Sequence, residues 1–128
     1  MRVVLLDTSI MIDLIQGEAA VLEIYSEYDR LLFPAVALGE LYFGAYNSSK
    51  LEKHLEECIE VQRLAAIVPV DVDTAEAYGK IKSVLKVKGQ LIPEKDLWIA
   101  ATATAYGVEL LTRDKHFLRV DGLDVTVI

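Results

Sequence analysis

Short runs rich in β-branched and aliphatic residues recur along this chain, each followed by a stretch long enough for one or two helices. That alternation constrains the fold more than any other feature. It predicts strands at Arg2 to Leu6, Arg30 to Phe33, Ala66 to Val70, Val108 to Thr112 and Asp124 to Val127. Strands separated by helices cannot close as hairpins, so the pattern predicts an α/β fold with a central, mainly parallel sheet. Between the first two strands, Thr8 to Gln16 and Glu18 to Tyr28 read as two helices, with Gly17 as the stop between them. Pro34 opens a helix running through Leu38, Leu41, Tyr42 and Ala45, and Asn47-Ser48-Ser49 makes a turn before a helix from Lys50 to Leu64. Asp73-Thr74-Ala75-Glu76 has capping-box spacing and begins a helix that Gly89 ends near Val87. Pro93 then starts a helix of small residues that Gly107 closes.

Nothing divides the chain: it has no repeat, no low-complexity segment and no linker rich in Pro, Gly or Ser, so residues 1–128 are expected to form one domain. At 53% hydrophobic and 26% charged residues the composition is that of a globular protein. The apolar run Val3-Val4-Leu5-Leu6 stops at Asp7, too short for a signal peptide or a membrane span. Cys58 stands alone and cannot close an internal disulfide, which points to a reducing cytoplasm. The net charge of −7 argues against broad electrostatic adhesion to nucleic acid. It does not argue against a nucleic-acid enzyme, because cations bound to acids reverse the local field.

In an open α/β sheet ligands bind beyond the C-terminal ends of the strands, where the N-termini of the crossover helices also lie. Asp7 follows the first strand and Asp114 the fourth, while Asp96 lies in the first turn of, and Glu40 about two turns into, helices that start at that edge. Asp71 and Asp73 follow the third strand, so placement alone leaves these six acids. Each has an ordinary structural reading. Asp7 suits a helix cap, Asp96 a helix dipole and Asp114 a turn, and the capping box accounts for Asp73. Glu40 is harder to set aside, because Val36-Ala37-Leu38-Gly39-Glu40-Leu41-Tyr42-Phe43-Gly44-Ala45 is apolar enough to suggest burial, with Phe43 in the core.

Leu5-Leu6-Asp7-Thr8-Ser9, the Glu40 segment, Asp96-Leu97-Trp98-Ile99-Ala100-Ala101-Thr102-Ala103 and Leu111-Thr112-Arg113-Asp114 resemble the successive motifs of PIN domains. The nearest likeness is to VapC-type toxins of toxin–antitoxin pairs, and it extends over essentially the whole chain. The resemblance implies a three-layer α/β/α PIN-like domain with strand order 3-2-1-4-5, which moves Asp71 and Asp73 toward the far edge and selects Asp7, Glu40, Asp96 and Asp114. It implies a Mg²⁺- or Mn²⁺-dependent endoribonuclease acting on single-stranded or structured RNA, a homodimer, and a small antitoxin partner. Carboxylates without paired His or Cys ligands suit those ions better than zinc. Thr8, Ser9 and Thr112 are expected to hold the carboxylates in place, and Arg113, Lys115, His116 and Lys95 to contact RNA phosphates. Lys95 stands where relatives often carry a neutral polar residue.

Two other readings compete. A phosphorelay receiver domain also binds Mg²⁺ at this edge, but it needs adjacent acids after the first strand, where only Asp7 stands, and a lysine after the fifth. A PIN-like module that binds RNA or protein without cutting is the second, since fold does not fix function.

Overall fold

The computed structural model describes the backbone of residues 1–128 and every side chain except those of Ala20 and Ile24. In chain order the elements are β1 (Val3–Leu6), α1 (Thr8–Ile15), α2 (Ala19–Tyr25), β2 (Arg30–Pro34), α3 (Ala35–Tyr46), α4 (Leu51–Leu64), β3 (Ala66–Val68), α5 (Val72–Lys88), α6 (Glu94–Tyr106), β4 (Glu109–Thr112), a 3₁₀ turn (Lys115–Arg119) and β5 (Val125–Val127). All five predicted strands form. They make one parallel sheet in the order β3-β2-β1-β4-β5. A receiver-type sheet would instead run 2-1-3-4-5. The chain winds from β1 out to β3, then returns over the sheet to β4. Right-handed crossovers made in opposite directions place their helices on opposite faces, giving three layers. No helix is long and apolar enough to cross a membrane among the described residues.

The sheet's central strands are buried on both sides, which is why they read as continuous apolar runs rather than alternating ones. Val4, Leu5, Leu110, Phe33 and the α6 residue Ile99 are fully enclosed. Each such side chain contributes about 1.5–3 kcal/mol relative to exposure. Leu6 pairs with Leu111, so β1 and β4 end together and deliver Asp7 and Asp114 to one rim, at the point where the winding reverses.

Two local expectations need correcting. The cap of α5 is Asp71, whose Oδ1 accepts from both the amide and the hydroxyl of Thr74 at 2.9 Å, so Asp73 sits inside the first turn. Those donors hold the Asp71 carboxyl below its ordinary value. The pattern starting at Asp73 misled because Asp71 and Asp73 both suit a helix cap, and the turn closes on the earlier one. The apolar Glu40 segment, moreover, is not mostly buried: on α3 only Ala37 and Ala45 are enclosed, and Phe43 is 71% exposed. A helix apolar all round leaves its buried face unspecified, and here Ala37 and Ala45 are enclosed while the rings of Phe43 and Tyr46 face out.

Candidate active site

Asp7 caps α1, its Oδ1 accepting from the Thr8 amide at 2.8 Å. Its other oxygen accepts from the hydroxyl of Thr112, 105 residues away in sequence, at 2.7 Å. That hydroxyl also accepts from the Asp114 amide at 3.0 Å, so one fully buried side chain fixes both the first acid and the backbone of the last. The Asp7 carboxylate, 7% exposed, therefore has its plane set by two donors from different elements.

Asp96 lies in the first turn of α6 and is 4% exposed. Burial pushes its carboxyl above the ordinary value; His116 opposes this, the charge on Asp7 raises it further, and Lys95 lowers it. The charge of Asp7 is felt at Asp96, as expected of two buried carboxylates at the same rim. Glu40 joins it through Lys95, whose Nζ is 3.3 Å from Glu40 Oε2. Burial would lower the Lys95 pKa, but Glu40, Asp96 and Asp7 together outweigh it and raise it. Lys95 is thus a cation facing three of the four acids. Asp114 is half exposed and meets the cluster through His116, whose Nδ1 is 2.9 Å from Asp114 Oδ1 and whose Nε2 is 2.8 Å from Asp96 Oδ2.

The remaining residues singled out in the sequence fall as follows. Thr8 lies at the rim with its hydroxyl enclosed. Ser9 is half-buried and its hydroxyl makes no hydrogen bond among the described residues. Arg113 is turned away, its guanidinium paired with Asp13, to which Nε donates at 2.7 Å. Lys115 is exposed. The role of His116 as a bridge between two acids had only a weak sequence signal, its place two residues after Asp114.

Buried polar atoms normally have partners. Three side-chain atoms among the described residues do not: Thr8 Oγ1, Glu40 Oε1 and His116 Nε2. All three belong to this rim. His116 Nε2 approaches Asp96 Oδ2 closely, but outside the geometry in which a ring N–H could donate to it. Acidic, rich in oxygen and holding three unpartnered polar atoms, the donor set fits a divalent cation.

A PIN domain is matched over residues 4–123. The chain belongs to the PIN-domain family. Within it, this PIN domain is 32% identical over 128 residues to the ribonuclease VapC1 of Rickettsia felis, covering 97% of this chain and 95% of that relative. Its backbone is similar to that of VapBC-1 from nontypeable Haemophilus influenzae, with a TM-score of 0.89, 28% identity, and 98% and 97% of the two chains covered. It is also similar to VapBC-5 from Mycobacterium tuberculosis, a member of the VapBC family of toxin–antitoxin systems, with a TM-score of 0.78, 28% identity, and 100% and 98% covered. The order of motifs and the strand order read by resemblance both agree with this membership.

Proposed function

We propose that this PIN domain is the toxin of a toxin–antitoxin pair, an endoribonuclease that hydrolyses RNA phosphodiester bonds with Mg²⁺ or Mn²⁺. The observation that carries the reading is the coincidence at one rim of two buried carboxylates, Asp7 and Asp96, with the three unpartnered polar atoms of Thr8, Glu40 and His116. Asp7 and Asp96 are the principal ligands, and Glu40 and Asp114 complete the site directly, through water or by positioning the attacking water. When bound, the cation would make a water acidic enough to attack at neutral pH and stabilise the charge growing on the leaving oxygen. The residues supply the rest. Thr112 and the Thr8 amide hold the Asp7 carboxylate in one orientation, so no reorganisation is needed as the reaction proceeds. Glu40 has one oxygen tied to Lys95 and the other unpartnered, which suits it to orient the attacking water and take its proton. Lys95, half exposed beside Glu40, would meet a phosphate oxygen entering there.

Beside Glu40 opens a cleft of about 250 Å³ lined by Ile12, Ile15, Leu41 and Gly44. A small antitoxin seated there would cover the approach to the acids, and the exposed rings of Phe43 and Tyr46 offer further apolar surface for it or for a second copy in a homodimer. The test of the activity is RNA cleavage by the purified chain with Mg²⁺ or Mn²⁺, with and without chelator, beside Asp7→Asn and Asp96→Asn. Cleavage that survives chelator, or that both variants retain in full, overturns the mechanism. Mass spectrometry of the complex purified after co-expression with the neighbouring gene tests the antitoxin, and sedimentation tests the homodimer.

A further inference from the structure

His116 is expected from sequence to reach for a phosphate, yet its ring lies between two carboxylates with only 18% of the side chain exposed. Three features of the fold fix it there. The 3₁₀ turn that carries it is capped by Asp114, its own amide donates to Asp114 Oδ1 at 3.2 Å, and the next residue, Phe117, is fully buried as an anchor. The ligand atoms of Asp96, Asp114 and His116 all lie within 4.8 Å of one another.

Each ring nitrogen faces a carboxylate, Nδ1 that of half-exposed Asp114 and Nε2 that of buried Asp96. A carboxylate at Nδ1 favours the tautomer with its proton there, leaving the Nε2 lone pair for an ion, which is the usual arrangement of a metal-ligating histidine and its orienting acid. Nε2 is enclosed and has no hydrogen-bond partner. Its 2.8 Å separation from Asp96 Oδ2 also suits a shared ion. Two ligands at 2.0–2.1 Å on adjacent corners of an octahedron are about 2.9 Å apart. A phosphate contact from Nε2 would instead bring an anion against a buried carboxylate.

We propose that His116 Nε2 is a direct ligand of the divalent cation, alongside Asp96, and that Asp114 serves as a positioning residue by accepting from His116 Nδ1. This rests on the metal-dependent reading above and sharpens it, since a nitrogen donor tilts the site toward Mn²⁺ and away from Mg²⁺, which keeps to oxygen and water.

The experiment uses the full chain with Mn²⁺ alone as probe. Electron spin-echo envelope modulation is recorded on wild type, His116→Gln and Asp114→Asn, with calorimetric titration by Mn²⁺ and by Mg²⁺ and thermal melts of the metal-free proteins as a check on folding. Wild type is expected to show ¹⁴N modulation, which ¹⁵N-histidine labelling replaces with ¹⁵N coupling without any substitution. His116→Gln is expected to lose the modulation and weaken Mn²⁺ at least about tenfold, with a smaller loss for Mg²⁺. Asp114→Asn should keep the modulation while weakening Mn²⁺ on the order of 10- to 100-fold. Wild type that binds Mn²⁺ with no histidine nitrogen coupling reduces His116 to an internal counter-cation, overturning this proposal and leaving the nuclease reading intact. Modulation that persists in His116→Gln likewise overturns it. Failure to bind either ion removes both.

Discussion

Thr112 offers the sharpest test of how the site is held. Its hydroxyl donates to a buried, charged carboxylate at 2.7 Å and accepts from the Asp114 amide at 3.0 Å, inside a residue with no exposed surface. Thr112→Val keeps the volume and the strand preference but removes both contacts. A hydrogen bond to a charged group is worth about 1.5–3 kcal/mol, and an amide that must find a new partner adds up to about 1 kcal/mol. The expected loss is therefore about 2–4 kcal/mol. Thr112→Ser is the counterpart: it retains the hydroxyl and loses a single methyl, at a cost of about 1 kcal/mol. Urea unfolding of the three metal-free proteins measures this as a shift of midpoint at constant slope. Under the proposed function, Val also lets the Asp7 carboxylate turn and lowers Mn²⁺-dependent cleavage on the order of 10- to 100-fold, whereas Ser stays close to wild type. A valine variant as stable as wild type, or a serine variant less stable than the valine one, would refute the role assigned to the hydroxyl.

Other outcomes follow from the same reasoning. The Asp96 carboxyl is pushed up from its ordinary 3.8, chiefly by burial, so the folded state resists its ionisation and loses stability as pH rises through its folded pKa. Metal-free Asp96→Asn should thus melt above wild type at pH 7, with the gap closing as pH falls toward 3.8, and Mn²⁺ should reverse the order by stabilising wild type alone. Burial, aided by the hydrogen bond to Glu109, raises the Tyr28 hydroxyl from 10.0 to about 12. The stability this represents is complete below pH 10 and lost as pH rises toward 12, so Tyr28→Phe should flatten the alkaline limb of a stability profile. Phe43→Ala should change unfolding free energy by no more than about 0.5 kcal/mol, while Phe33→Ala, at a fully buried position of β2, should cost about 3–5 kcal/mol. Equal losses for the two would contradict the exposure of the α3 aromatic face.

Much of the architecture is legible in the chain because it is locally encoded. Gly89 and Gly107 close α5 and α6 in the left-handed conformation at φ 67° and 63°, where residues with a Cβ are disfavoured, and both stops read directly from sequence. The five strands read equally well, since apolar runs bounded by turn residues have few other uses. Where several residues satisfy the same local rule, the sequence is ambiguous. Asp71 and Asp73 both suit a helix cap, and the apolar surface of α3 does not say which side is covered.

By itself, then, the sequence determined the order and kind of the elements, and it placed Asp7 and Asp114 after strands, Asp96 at a helix start and Glu40 within the helix that follows the second strand. It did so because periodicity, capping and turn chemistry act within a few residues. Only the tertiary structure decided how those acids are held. Thr112 reaches Asp7 because β1 and β4 pair in parallel with Leu6 opposite Leu111; Lys95 meets Glu40 because α6 starts beside α3; His116 settles between Asp96 and Asp114 because Phe117 pins the 3₁₀ turn against the core. Strand order and register are set by the packing of the whole sheet, and contacts across some hundred residues have no local signature.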